Sequence, residues 1–475
     1  MSVGREPPPA VAALFPAAAE RERIDDLVTR ALSASAGRAA RGPVMPALDM
    51  ARFRAELETF DFTSPQSLES LIGWVTTQLE HGVVHMNNPR YFGLFNPGAN
   101  FPAQVADRIS GAFNPQLASS GSSPAPVAIE AHVVRAIAQR AGLPPDSSGH
   151  FTTAGSEANY TALLCALTRA APGFAADGVR AFAGAPVMYT SRECQPAWFK
   201  IAHQAGIGRR ALKLVPTDGR GELDCAALED MVARDRAAGE VPVLVSATAG
   251  TTGGGMIDPL ARCAAIAHEA GAWYHVDAAW GGAALCSPRL RHVVDGIELA
   301  DSLTIDAHKW FATTMGCGMF ITRYPAVLSE TFRVAADFMP STVTALDPYL
   351  NTVQWSRRFM GLRLFLSLAA AGWAGYAAHV ERAVDVIAIV KERLLARGWQ
   401  ALNDSQLAVL CVAPPPGFPP IREIARRMLA SGRAWVAVTT FAGREALRIC
   451  ATHGEISGQD IEVLVESLSA AGAAQ

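Results

Sequence analysis

The chain has 475 residues, 50% of them hydrophobic and 18% charged, with a formal net charge of −3. That is apolar material for a large core and more than one structural unit, and it leaves no disordered bulk. The charge balance gives no basis for a nucleic-acid partner, and the short basic clusters at 289–292 and 422–427 read as solvated helix faces.

Residues 1–23 carry three consecutive prolines and no apolar stretch followed by a small-residue cleavage site, so no secretory signal is expected. Apolar positions then recur every three or four residues over 22–32 and 50–60, which predicts two helices separated by a Gly/Ala/Pro stretch at 36–46. This helical segment, 1–85, has little core of its own and is expected to pack on something else. From 86 to 365 helical stretches alternate with short apolar runs at 186–190, 241–247, 273–276 and 318–322. Such alternation predicts an α/β domain with a mostly parallel sheet covered on both faces. The most apolar later stretch, 364–380, holds Ser367, Gly372, Gly375 and His379 and reads as a packed helix, not a membrane span. Residues 366–475 predict a small α+β domain with strands at 408–412, 435–439 and 446–450. The eight cysteines are scattered, with no CxxC pair and no Cys/His cluster at metal spacing. No metal is expected, and a reducing, cytoplasmic setting fits.

Four motifs carry chemistry. In Asp306-Ala307-His308-Lys309-Trp310 a lysine stands among His, Trp and small residues, and partial burial favours the uncharged amine that Schiff-base formation needs. Alone, it also fits a surface loop. In His275-Val276-Asp277-Ala278-Ala279-Trp280-Gly281-Gly282 a carboxylate ends an apolar run, where open α/β sheets bind ligands, and its burial calls for a cation such as a protonated pyridine. A helix N-cap is the other reading. Thr152 to Asn159 places small and hydroxyl residues ahead of an apolar helix, a place for an anion or an ordinary cap. Ser246 to Gly253 is a hydroxyl-rich turn after a strand, suited to a ring substituent or to simple strand termination. Phosphate cradle, threonine, pyridine carboxylate and Schiff-base lysine in that order explain one another.

With these motifs the chain resembles the group II pyridoxal-phosphate decarboxylases, from Asn88-Pro89-Arg90-Tyr91-Phe92 to its end. The resemblance implies the aspartate aminotransferase-like fold type I: a seven-stranded, mostly parallel sheet in a large domain (86–365), a helical N-terminal dimerisation segment (1–85) and a small C-terminal α+β domain (366–475). It implies pyridoxal 5′-phosphate as cofactor, an L-amino acid as substrate and a homodimer with its active sites at the interface. Carried over by position, Lys309 is the Schiff-base lysine and Asp277 the partner of the ring nitrogen. Ala279 packs on a ring face, Gly155 and Ser156 with His308 hold the phosphate, and Thr252 and Asp306 stand beside the cofactor. Tyr91 and Phe92 line the substrate pocket.

Two departures bear on the outcome of the reaction. Gln195 stands where relatives carry a histidine that stacks on the ring, and an amide has no pKa useful for acid–base work. In the loop after the lysine, Phe338 aligns with a tyrosine that returns a proton to Cα, with Tyr349 as the nearest substitute. Plain decarboxylation and oxygen-dependent conversion to an aldehyde, ammonia and peroxide therefore both fit. Another lyase or aminotransferase reaction, or a non-catalytic cofactor binder, completes the range. An aromatic side chain suits the segment 91–95, and Arg90, Arg357 or Arg358 would suit an acidic one.

Overall fold

The computed structural model describes residues 9–334 and 347–472. Two sheets organise these residues. The larger has the order β1-β7-β6-β5-β4-β2-β3, with β1 Ser148–Thr152, β2 Pro186–Ser191, β3 Leu212–Val215, β4 Val241–Thr248, β5 Trp273–Asp277, β6 Ser302–Asp306 and β7 Gly318–Thr322. Only β7 runs against the others, pairing antiparallel with both β1 and β6. The remaining pairs, β2 with β3 and β4, β4 with β5, and β5 with β6, are parallel. The C-terminal ends of β1, β2, β4, β5 and β6 therefore share one edge, where ligands bind in open α/β sheets.

These strands are buried along nearly their whole length, as expected of a sheet covered on both faces. Alternation sends successive residues to opposite cores. Met188, Leu244 and Trp273 pack with the helix Gly155–Ala170, whereas their neighbours Tyr189, Val245 and Tyr274 join the larger core. The second sheet is antiparallel, in the order β10-β11-β9-β8, built from β8 Gln400–Ala401, β9 Val409–Ala413, β10 Ala437–Phe441 and β11 Arg444–Cys450.

Two sequence expectations are corrected, and the helix expected over 364–380 is present. The helix predicted over 22–32 runs from Ala18 to Arg41, straight through most of the supposed break at 36–46, because alanine favours helix and the chain turns out only at Gly42-Pro43. The strand expected at 435–439 begins at Ala437; Trp435 instead bridges to Tyr91. The stretch 364–380 lies in the helix Leu362–Leu395, which crosses residues 365–366 and is interrupted at Gly372, where φ is +64°. No helix among the described residues is long and apolar enough to cross a membrane.

Candidate active site

Asp277 ends β5 and is buried. Its Oδ2 accepts from Asn159 Nδ2 at 2.8 Å and its Oδ1 from the Ala279 N–H at 3.1 Å. Burial pushes the carboxyl up, and the Lys309 charge is the largest opposing influence. Both hydrogen-bond donors are neutral, so the site has room for a cation facing this carboxylate.

Lys309 follows β6 through a turn, and its Nζ lies 3.0 Å from Asp306 Oδ2. The lysine side chain keeps 21% exposure, whereas the carboxylate beside it keeps 2%. Asp306 Oδ1 is buried with no hydrogen-bond partner. His308 Nδ1 accepts from the Cys317 N–H at 3.3 Å, and its Nε2 lies 3.8 Å from Asp306 Oδ2. Burial holds His308 below the usual imidazole range, so the ring is neutral and its proton sits on Nε2, toward Asp306.

Gly155 opens the helix Gly155–Ala170 directly against this cluster. A Cβ there would come within 2.9 Å of Asp306 Oδ2 and 3.4 Å of Ala279 Cβ, so the position admits nothing larger than glycine without displacement. Ser156 beside it is exposed, and helix geometry leaves the first backbone N–H groups without intrahelical acceptors. Glu157 takes two of the nearby donors, the N–H and hydroxyl of Thr153. Thr248 pairs in register with Asp277 across β4 and β5, and its buried hydroxyl has no partner. Thr252 lies beyond the strand in a turn, half-buried, with its carbonyl bonded by Arg448.

Gln195 is exposed, and its side-chain oxygen accepts from the Ala197 N–H at the start of the helix Ala197–Gln204. Tyr91 is buried, stacks on Trp435 at 5.1 Å and has its phenol pushed up to about 12 by burial. Phe92 is wholly buried, with its backbone bonded to Trp435 and Cys450. Tyr349 is buried near Trp355, its N–H bonded to the Ala118 carbonyl. Phe338 lies outside the described residues.

The arginines proposed for an acidic substrate are otherwise engaged, with one exception. Arg90 binds the Gly42 carbonyl at the end of the first long helix, and Arg357 is buried against Glu130 at 2.7 Å. Arg358 is exposed. Sequence reasoning missed Asn159, which sat unassigned inside a quoted motif, and it missed Arg448. That guanidinium is buried, binds the carbonyls of Gly93 and Thr252, lies 4.9 Å over the Phe95 ring and has an unpaired Nε. Nothing in an alternating strand pattern marks such a residue.

Pyridoxal phosphate fits what is present: a buried carboxylate with only neutral hydrogen-bond donors for a ring nitrogen, an accessible lysine, unpartnered oxygens at Asp306 and Thr248, and a glycine cradle at a helix start. No group of His, Cys, Asp and Glu among the described residues could hold a metal ion.

Comparison with known proteins supports the same assignment. The family model described as the pyridoxal-dependent decarboxylase conserved domain matches residues 54–411. Tyrosine/DOPA decarboxylase 2 of Papaver somniferum is 29% identical over 340 residues, 70% of this chain and 64% of that enzyme. Aromatic-L-amino-acid decarboxylase of Bos taurus is 28% identical over 360 residues, covering 72% and 73%. An acidic amino acid decarboxylase of Mus musculus is 27% identical over 416 residues, covering 82% and 75%. The crystal structure of mouse CSAD in its apo form superposes with a TM-score of 0.90 at 25% identity, covering 96% of this chain and 100% of that one. The chain belongs to the pyridoxal-dependent decarboxylase family, carboxy-lyases that use pyridoxal 5′-phosphate on amino acids.

Proposed function

We propose that this protein decarboxylates an L-amino acid, with an aromatic side chain favoured. The observation that carries the reading is the pairing at one sheet edge of accessible Lys309 with Asp277, a buried carboxylate that has only neutral hydrogen-bond donors. Lys309 would hold the cofactor through its amine and Asp277 through the ring nitrogen. Gly155 and Ser156, with His308, would hold the phosphate, while Ala279 supports one ring face and Thr252 and Asp306 stand at its sides. When bound, pyridoxal phosphate supplies a carbonyl for the substrate amine and a conjugated ring that accepts the electron pair left by CO2. Asp277 keeps a proton on the ring nitrogen by presenting a fixed anion. Asp306 would hold the Lys309 amine in place at 3.0 Å and balance its charge whenever that amine is free and protonated.

Aromatic substrates are favoured because two aromatic pairs stand in the segments the resemblance sets beside the substrate, Tyr91 stacked on Trp435 and Phe95 on Trp280. An acidic substrate is the second reading, and Arg448 favours it: the other buried arginines, Arg357 and Arg363, are paired with Glu130 and Asp107. For the outcome at Cα, Gln195 offers no transferable proton, which supports the oxygen-dependent route to an aldehyde, ammonia and peroxide as the alternative. A homodimer is part of the proposal. The helices Met50–Glu58 and Leu68–Gly82 bury none of their residues, and Phe62, Phe101 and Phe113 are largely exposed.

The test is to follow CO2, amine, ammonia and peroxide from a panel of aromatic and acidic L-amino acids, with and without oxygen. CO2 with amine, unaffected by oxygen, is expected. Aldehyde, ammonia and peroxide that vanish without oxygen would establish the alternative, and no CO2 from any substrate would overturn both.

A further inference from the structure

Behind Asp277 lies a chain of buried polar side chains to which the proposed reaction gives no role. Trp273 and His275 stand two apart on β5, and Ser302 and Thr304 two apart on β6, with His275 and Ser302 in register. All four turn the same way, toward the helix that carries Asn159. Trp273 Nε1 donates to Ser302 Oγ at 2.8 Å, and Ser302 Oγ lies 2.8 Å from His275 Nδ1. His275 Nε2 lies 3.0 Å from Asn159 Oδ1, which also accepts from Thr304 Oγ1 at 2.6 Å. Asn159 Nδ2 then donates to Asp277 Oδ2.

The direction of every link is settled by its ends. An indole N–H only donates, so Ser302 accepts there and has its own proton left for His275 Nδ1. Burial depresses the His275 pKa to about 3, so the ring is neutral, and with Nδ1 accepting from Ser302 its one proton is on Nε2. Asn159 must then turn its oxygen to His275 and Thr304 and its NH2 to Asp277. At the far end an ionised carboxylate only accepts, which demands the same orientation. Around Asp277 the Lys309 charge favours the anion and the Asp306 charge opposes it, and the nearby Cys194 thiol is held protonated by burial.

We propose that Trp273, Ser302, His275 and Asn159 are positioning residues, a one-way relay of neutral donors that keeps the Asp277 carboxylate anionic and fixed in orientation for the cofactor's ring nitrogen. This rests on Asp277 being the partner of that nitrogen. The relay supplies hydrogen-bond donation without a second positive charge, and a cationic histidine there would repel the protonated ring.

The test titrates cofactor-stripped, full-length protein with pyridoxal 5′-phosphate, reading affinity and the absorption spectrum of the bound cofactor, with melting temperature alongside. Losing one donor to a buried anion weakens affinity by roughly tenfold or more for Asn159→Leu, and a more remote link by roughly threefold for Trp273→Phe. Both changes are expected to alter the spectrum. The deciding comparison is Trp273→Phe in the Asn159→Leu background, where its effect on the cofactor should vanish, because the two act through one chain. Ser302→Ala serves the same purpose should Trp273→Phe fail to fold. If Asp277→Asn alters affinity and spectrum but the Trp273 effect persists unchanged without Asn159, or affects melting alone, the relay is overturned and the Asp277 role stands. If Asp277→Asn changes neither, that role falls and the relay with it.

Discussion

The resemblance sets Gln195 where relatives carry an acid–base group, and its side-chain oxygen accepts from the Ala197 N–H at the start of the following helix. Gln195→His would put an imidazole of ordinary pKa near 6.5 at that exposed position. The expected result is a new limb near that pH in the kcat profile and a larger share of amine among the products. A profile identical to the wild type would show that the position has no contact with the reacting atoms. Elsewhere, His150 illustrates a residue whose chemistry is only a cost. Both ring nitrogens are buried without partners, and burial holds its pKa at about 3. Its folded pKa lies below its unfolded one, so stability is complete above pH 6.5 and is lost as pH falls toward 3. His150→Leu should remove that loss, so that its advantage over the wild type is about 2 kcal/mol larger at pH 5 than at pH 8 in denaturant titrations.

Among the elements, the long helix Leu362–Leu395 depends on one residue for its break. Gly372 adopts φ +64° and ψ 176°, and no atom lies within 4 Å of where a Cβ would stand. Gly372→Ala therefore meets backbone strain alone, an expected loss of about 1–3 kcal/mol in thermal or chemical unfolding. Element type was legible where composition and period agreed: the apolar runs ending in Ser191, Thr248, Asp277 and Thr322 are strands within a residue or so of expectation. Legibility failed where local sequence underdetermines structure. The Ala/Gly stretch before Gly42 reads as a breaker although alanine is the best helix former. Asn159 looks like any polar helical residue, because its partners lie 116 to 145 positions away. Lys309 and Asp277 stand out in the sequence because each interrupts an apolar setting with a charge.

For the whole molecule, the N-terminal helices are the part least explained by one chain. Their exposed apolar surface, with that of Phe101 and Phe113, is what a second copy would cover. Sedimentation of the wild type should give a dimer, and Phe101→Ser with Phe113→Ser should shift it toward monomer and weaken cofactor retention. A monomeric wild type would require another partner for that face. The small antiparallel sheet is tied to the segments beyond the C-terminal edge of the larger sheet by specific side chains, Asn403 and Ser405 on the carbonyls of Gly254 and Gly255 among them. Arg448 spans the carbonyls of Gly93 and Thr252, and Gly93 leaves space that the Trp435 ring occupies.

The stacked rings of Phe95, Trp280 and Trp310, with centroids 4.4 and 4.7 Å apart, have an optical consequence. Trp280 adjoins Ala279 in the chain and Trp310 adjoins Lys309. A chromophore seated on those two residues stands close enough to both indoles to drain their excitation, so occupancy of the site is written into the protein's own fluorescence and can be followed without a label.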